Sequence, residues 1–171
     1  MEFNLKDHLP EGFHPQSRVW IYQCSRLFAF SEALQLEDIF KDFVSNWKSH
    51  GDTVTGYANL FFGRFIVIMA DETTTGVSGC STDSSVRMIK QIESSFNVQL
   101  FDRQMLAFWI KDKVEVLPLS QVAYAVENQF ITPDTLYFNN TVLTKDELLQ
   151  QWIIPVKQSW LSKKVKPTTT N

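Results

Sequence analysis

The 171-residue chain is poor in cysteine, glycine and histidine, with two, six and three residues respectively. Two cysteines are too few for a disulfide-rich secreted module, so we expect free thiols. The histidines do not stand in the paired spacing of metal ligands, and no C-x-x-C occurs. The sequence therefore predicts neither a metal site nor a bound cofactor.

Long apolar runs are also missing. The best run, 60–70, is interrupted by Gly63 and Arg64 and is too short to span a membrane. The N-terminus lacks the apolar core of a signal peptide, so we predict a cytoplasmic protein with no membrane span. The 16 basic and 19 acidic residues give a net charge of −3, which argues against a nucleic-acid partner.

Several catalytic and nucleotide-binding motifs are absent. There is no G-x-x-x-x-G-K-[ST] loop to cradle nucleotide phosphates, and no G-x-S-x-G. The tetrapeptide 76–79, Gly-Val-Ser-Gly, lacks the glycine count and spacing of a dinucleotide-binding turn. The sequence thus gives no support to ATPase activity, and we expect a protein that is not an enzyme.

Apolar periodicity supplies the positive evidence, since 44% of the residues are hydrophobic and 14 are Phe. Strand-like and helical segments alternate in the order β-α-β-β-α-β. The segments are 18–24, 31–50, 57–62, 65–70, 84–97 and 105–110. That order is typical of ferredoxin-like domains, in which two helices cover one face of an antiparallel sheet. We therefore predict an α+β fold.

The predicted organisation is one α+β domain over residues 1–160. Its core covers 18–110, and an extension over 111–160 adds a hairpin, a short strand and two small helices. The last helix is opened by the capping box of residues 144–147, Thr-Lys-Asp-Glu. Residues 161–171 carry lysines without acids, which is typical of a disordered basic tail.

The stretch 71–85 holds the densest set of chemistry-bearing residues. It follows the most apolar strand and leads into a helix that we expect near Ser84, where backbone amides and hydroxyls favour anions. The candidate ligand-binding residues here are Asp71, Ser78, Gly79, Cys80, Ser81, Thr82 and Asp83. The alternative is that Ser81 to Asp83 only cap the helix.

Carboxylates and arginines form a second constellation. In a ferredoxin-like arrangement, Asp71, Asp83 and Asp102 would converge with Arg64 or Arg103. Two carboxylates in different environments can divide acid and base roles. A helix cap and an ordinary salt bridge would explain the same residues.

Cys80 is the candidate nucleophile. It precedes the predicted helix by a few residues, where the helix dipole can favour a thiolate. A covalent mechanism would also need a base, and the sequence does not place His14 or His50 nearby. The alternative is a small, half-buried residue without chemistry.

Four stretches together resemble one family, namely 17–23, 78–86, 131–140 and 159–160. It is a family of small uncharacterised bacterial proteins, which often carry the automatic label "ABC transporter ATPase". The resemblance spans residues 17–160; the label implies ATP binding, and the likeness makes 79–81 a family feature. A weaker likeness of 116–137 to GYF-like modules implies an interaction role.

The leading functional prediction is a non-enzymatic binding or regulatory domain. It would take a small anionic ligand or a protein partner through the 71–85 loop. The alternative is a thiol-dependent enzyme with Cys80 as nucleophile. A third interpretation is a subunit that pairs into a homodimer through a sheet edge or an apolar face.

Overall fold

The computed structural model describes residues 3–73 and 79–165, with Gly79 and Cys80 described by their backbone alone. The chain divides into two compact units. The first comprises residues 1–101 and 141–149, and the second comprises 102–140 and 150–171. Both consist of helices and antiparallel sheets, so the predicted α+β class is confirmed. The division into a core over 18–110 and an extension over 111–160 stays a prediction.

Within its described residues, the first unit contains five strands and two long helices. Its strands are β1 Arg18–Gln23, β2 Lys48–Ser49, β3 Asp52–Thr53, β4 Thr55–Phe61 and β5 Phe65–Asp71, and its helices are α1 Phe30–Asn46 and α2 Gly79–Phe96. A 3-10 helix, Leu5–His8, precedes β1. No helix among the described residues is both long enough and apolar enough to cross a membrane.

The second unit contains a four-stranded sheet and a short helix. These elements are β6 Met105–Ile110, β7 Lys113–Pro118, α3 Val122–Glu127, β8 Leu136–Phe138 and β9 Ile153–Pro155. Helix α4, Lys145–Gln151, begins in the first unit and ends in the second. Single 3-10 turns occupy Leu119–Gln121, Val156–Gln158 and Trp160–Lys164.

Strand β5 is the centre of the first sheet, whose order is β1-β5-β4 with antiparallel neighbours. All seven β5 residues are buried, as its continuous apolar run predicts. On one face of the sheet, Ile66 and Ile68 share a core with Leu36 of α1 and Ile89 of α2. The two long helices therefore cover the same face.

The ferredoxin-like topology is not confirmed. The order β1-β5-β4 would suit its first three strands, but β6 lies in the other sheet, whose order is β7-β6-β8-β9. Lys111 and Asp112, both with positive φ, form a tight turn that pairs β6 with β7. Strand β8 pairs with the other edge of β6. Both edges of β6 are thus used within its own sheet.

Two helix starts differ from their predicted positions. Helix α1 begins at Phe30, one residue before the predicted segment 31–50, and its N-cap is Ala29, whose backbone N–H donates to the Glu32 carboxylate at 2.8 Å. Helix α2 begins at Gly79 rather than near Ser84. Both helices therefore begin earlier in the chain than predicted.

The chain remains ordered beyond residue 160. Trp160–Lys164 forms a 3-10 helix, and Leu161 and Val165 are buried in the core of the second unit. The Trp160 indole N–H donates to the Tyr137 hydroxyl at 3.1 Å. The predicted disordered tail therefore does not begin at 161, and its remainder, 166–171, lies outside the described residues.

Candidate functional site

Asp71 is the last residue of the central strand β5, and only 7% of it is exposed. Side chains alternate along a strand, so Asp71 shares a face with Val67 and Met69, opposite the face that α1 and α2 cover. A carboxylate at the end of a wholly buried strand must find hydrogen-bond donors close by. Its donors come from two separate segments of the chain.

Three donors among the described residues bind the Asp71 carboxylate. Oδ1 accepts the Thr73 backbone N–H at 2.9 Å and the Thr73 hydroxyl at 2.7 Å, and Oδ2 accepts the His14 backbone N–H at 3.1 Å. The Thr73 backbone N–H is the main cause that lowers the pKa of Asp71 from its usual value, and burial partly opposes the shift. Asp71 is therefore an anion at neutral pH.

The segment from His14 to Ser17 is a tight turn. The Ser17 backbone N–H donates to the His14 carbonyl at 2.9 Å, and the Gln16 backbone N–H donates to His14 Nδ1 at 3.0 Å. Because Nδ1 acts as an acceptor, the imidazole carries its proton on Nε2 in this arrangement. The ring itself is exposed.

The start of helix α4 holds this turn in place. The Lys145 backbone N–H donates to the Ser17 carbonyl at 2.9 Å, and the Asp146 backbone N–H donates to the Pro15 carbonyl at 2.9 Å. The Lys145 ammonium adds hydrogen bonds to the carbonyls of Pro10 at 2.8 Å and Phe13 at 3.0 Å. A segment without regular secondary structure is thus fixed at four points.

The predicted capping box at the start of α4 is confirmed in its main contact. The Thr144 hydroxyl accepts the Glu147 backbone N–H at 3.2 Å. The Glu147 carboxylate reaches back one residue further than in the usual pattern, to the Leu143 backbone N–H at 2.7 Å. The start of α4 is therefore satisfied locally, and its first amides can serve the 14–17 turn.

The 14–17 turn and the residues from Asp71 to Thr73 line a groove of about 230 Å³, which we name the Asp71 groove. It is lined by His14, Gln16, Ser17, Asp71, Glu72 and Thr73. Ser17 is 1% exposed, and its hydroxyl oxygen has no hydrogen-bond partner in the part of the chain that the structure describes. Its backbone N–H and carbonyl are both bonded, so the hydroxyl alone lacks a partner.

The charge of the groove is negative. Glu72 lies at its rim, 3.5 Å from the Arg18 guanidinium, and the two side chains are 37% and 47% exposed. An ion pair with this exposure is weak, because water and salt screen it. The lining contains two carboxylates and neither lysine nor arginine.

A serine, a histidine and an aspartate meet in this groove without the geometry of a catalytic triad. In a triad the carboxylate binds the imidazole N–H and holds the ring as a base. Here Asp71 binds the backbone N–H of His14, and the imidazole Nδ1 accepts from Gln16. The arrangement can bind a polar group, but it does not orient a base towards Ser17.

The residues predicted around Cys80 have different outcomes. Ser78 lies outside the described residues, as do the side chains of Gly79 and Cys80, so the nucleophile hypothesis stays a prediction. The residues predicted to cap the helix, Ser81, Thr82 and Asp83, lie inside α2 instead. Ser81 is buried, and its carbonyl accepts the Trp47 indole N–H at 2.9 Å, which ties the first turn of α2 to the end of α1.

The predicted convergence of arginines on Asp71 does not include Arg64. Arg64 precedes β5 and Asp71 ends it, so the strand separates them by roughly 20 Å. The Arg64 guanidinium instead donates a hydrogen bond to the Cys24 carbonyl at 3.4 Å. Asp102 and Arg103 belong to the second unit, where the Asp102 carboxylate accepts the Gln104 backbone N–H at 2.9 Å.

Sequence reasoning missed His14, Gln16 and Ser17. They fall in a stretch without periodicity, which the sequence marks only as irregular. The partners of the turn are 57 residues away at Asp71 and more than a hundred residues away at Lys145. No local signal connects segments so far apart.

A second groove, of about 310 Å³, lies between α1 and α2. Its charged lining residues, Asp42, Lys48 and Arg87, are all exposed. Its buried members are Met88 and Trp47, whose indole N–H is already bonded. This groove therefore has no buried polar group that a ligand would satisfy.

Comparison with known proteins adds no assignment to either groove. Within residues 3–73 and 79–165, no three His, Cys, Asp or Glu side chains are grouped so as to hold a metal ion. No protein-family model, no curated protein and no solved structure matches the chain.

Proposed function

We propose that the protein is a non-enzymatic binding domain, which takes a small polar ligand or the polar group of a partner in the Asp71 groove. The observation that carries the proposal is the buried Ser17 hydroxyl, which has no partner among the described residues. It lies in the same groove as a buried carboxylate that is ionised at neutral pH.

The energetic cost of such a hydroxyl supports the proposal. A buried polar group that finds no hydrogen bond costs about 1–3 kcal/mol of folding free energy. Most buried polar groups in proteins are satisfied, and an exception calls for an explanation. A ligand that supplies the missing hydrogen bond would recover this cost on binding.

Binding is favoured over catalysis because the groove lacks an activated nucleophile. No described contact places a base on the Ser17 hydroxyl, and the described donors to the Asp71 carboxylate are two backbone N–H groups and the Thr73 hydroxyl. A serine that is not deprotonated by a neighbouring base is a weak nucleophile. Its hydroxyl remains a good hydrogen-bond partner.

The prediction that the 71–85 loop binds an anion cannot apply to the Asp71 groove. The Asp71 groove presents two carboxylates, which repel anions. An anion would have to bind where the loop continues beyond Thr73, and residues 74–78 lie outside the described residues. The proposal therefore concerns ligands with hydrogen-bond donors.

Three backbone amides report on the groove and make the test direct. The N–H groups of His14, Gln16 and Thr73 all donate to groove atoms, so their ¹⁵N–¹H NMR shifts respond to any occupant. Four probes cover the classes of small ligand: ethylammonium, tetramethylammonium, acetamide and acetate. We expect at least one probe to move the three signals together and to saturate.

Variants separate binding from general salt effects. Ser17→Ala should weaken the saturable response. Ser85→Ala is the matched control, because Ser85 is a buried serine of α2 that is already bonded to the Thr82 carbonyl at 2.7 Å. The proposal is overturned when no probe produces a saturable shift, or when both variants respond as the wild type does.

A further inference from the structure

We infer that the Asp71 groove recognises a primary ammonium group. This inference rests on the proposed function and names the chemical class of its ligand.

The charge of the lining calls for a cation. Asp71 accepts hydrogen bonds from two backbone N–H groups and one hydroxyl, all neutral, and no lysine or arginine pairs with it in the described part of the chain. Electrostatic attraction to His14 is the smallest of the causes that lower the pKa of Asp71, so the carboxylate has no strong counter-charge, and a cation brought beside it is attracted. Glu72 adds a second negative charge at the rim, which Arg18 offsets only loosely.

The unused capacity consists of acceptors. Asp71 Oδ2 receives one hydrogen bond and Ser17 Oγ receives none. A carboxylate oxygen and a hydroxyl oxygen each accept from two directions. A primary ammonium offers three N–H donors and a full positive charge in one small group. Hydrogen bonds between charged partners are about twice as strong as neutral ones.

The groove is small. Its volume of about 230 Å³ lies below the roughly 300–1,000 Å³ that is typical of pockets for drug-sized ligands. It therefore suits a small amine, or the end of an aminoalkyl chain, rather than a bulky cation. The same ammonium can come from a free metabolite-sized amine or from a lysine side chain on a peptide.

The four probes test the inference through paired comparisons. Tetramethylammonium has the charge of ethylammonium without its N–H donors, and acetamide has N–H donors without the charge. We expect ethylammonium to give the saturable shift at His14, Gln16 and Thr73, and the other three probes to give none. Nα-acetyl-lysine N-methylamide then distinguishes the sources, since tighter binding than ethylammonium favours a peptide and equal or weaker binding favours a free amine.

The variants give the expected sizes. Asp71→Asn removes the charge and should raise the dissociation constant of ethylammonium about tenfold or more, as a lost charge-assisted hydrogen bond does. If that variant does not fold, Glu72→Gln serves instead, with an increase of about twofold to threefold because Glu72 is exposed and screened.

The outcomes separate this inference from the proposed function. Saturable binding of acetamide in place of ethylammonium overturns the inference and leaves the proposed function intact. Saturable binding of acetate, an anion without a hydrogen-bond donor, overturns both. Equal binding of tetramethylammonium and ethylammonium overturns the inference as well, since charge alone would then suffice. If none of the four probes gives a saturable shift, both the inference and the proposed function are overturned. An unchanged dissociation constant in the folded charge variant overturns the inference even when ethylammonium binds.

Discussion

Removal of the Ser17 hydroxyl should stabilise the unliganded protein. The side chain is 1% exposed and its oxygen has no hydrogen-bond partner among the described residues, so in the folded state it has lost water without gaining a replacement. Ser17→Ala deletes that oxygen and leaves the Cβ in place. Most serine replacements at buried sites destabilise a protein, and the opposite sign here is what makes the variant informative.

The magnitude follows from the desolvation cost. An unsatisfied buried polar group costs about 1–3 kcal/mol, and Ser17→Ala should recover most of it. For a protein of this size, about 1 kcal/mol corresponds to roughly 2–4 °C in Tm. In Ser85→Ala, a lost hydrogen bond of about 1 kcal/mol is partly offset by the better helix propensity of alanine, which leaves a net loss of about 0.5 kcal/mol. The two variants should therefore move in opposite directions.

Urea unfolding followed by circular dichroism measures both changes, provided that the slopes of the transitions stay equal. A Ser17→Ala protein that is less stable than the wild type would show that the hydroxyl is bonded in the folded state. The Asp71 groove would then hold no unsatisfied hydroxyl, and the proposed function would lose its basis. A gain in stability together with weaker ethylammonium binding would be the signature of a residue kept for binding at the expense of stability.

Three further predictions concern the first unit. Gly56→Ala places a Cβ 2.5 Å from the Trp47 ring, so it should cost about 1–3 kcal/mol in urea unfolding, whereas Gly12→Ala, with no atom within 4 Å, should cost little. A hydrogen bond from the Arg26 side chain lowers the pKa of Glu32 to about 2, below the ordinary 4.5. The stability that the ionised Glu32 provides is therefore present above pH 4.5 and is lost as the pH falls towards 2. Glu32→Gln should therefore lose less stability than the wild type between pH 5 and pH 2.5 in urea titrations, and an equal loss would contradict the ion-pair argument. Cys24 is buried and burial raises its pKa, so in a variant without the other cysteine iodoacetamide should label it only after unfolding; rapid labelling of the native protein would refute this.

Signals within one element predicted much of the first unit. The helical stripe of α1 runs through Leu36 and Phe40, which are both buried in the core. The continuous apolar run of β5 predicted a central strand, and all of its residues are buried. Gly63 and Arg64 predict a tight hairpin between the strands 57–62 and 65–70, and a hairpin does join β4 to β5, with positive φ at Phe62 and Gly63. Each of these features depends on residues within about 15 positions of one another, where periodicity and turn chemistry are informative.

The division into two sheets could not be predicted in the same way. The chain order β-α-β-β-α-β allows β6 to join β1 at the edge of the first sheet. The decision depends on the pairing of β6 with β8, which joins Phe108 to Tyr137 across a helix and a turn. The hydrophobic pattern of a strand shows which of its faces is buried, but it does not show which of two distant strands will pair with its edge.

Only one side of the Asp71 groove could be predicted from the sequence, because its two sides come from segments far apart in the chain. A carboxylate at the end of a buried strand is visible in the sequence, and Asp71 was a candidate on that ground. Its donor His14 and its neighbour Ser17 lie in an irregular segment, and only the fold brings them to the strand end. The start of α2 was misplaced because a run of small hydroxyl residues serves equally well as a cap or as a first turn.

The way in which the 14–17 turn is anchored bears on how the groove would bind. The Lys145 ammonium bonds two carbonyls of the preceding loop, and the amides of Lys145 and Asp146 bond the turn itself. The walls of the groove are therefore ordered before any ligand arrives, and a ligand need not supply the free energy to order them. The Lys145 ammonium, next to this turn, is thus already bound by the neutral carbonyl oxygens of Pro10 and Phe13. A second ammonium in the groove would meet an unpaired hydroxyl and an ionised carboxylate, and the carboxylate is a stronger acceptor for a cation than the neutral carbonyls that hold Lys145. A pre-formed acidic groove in a rigid turn thus favours selection by charge and donor number over selection by shape.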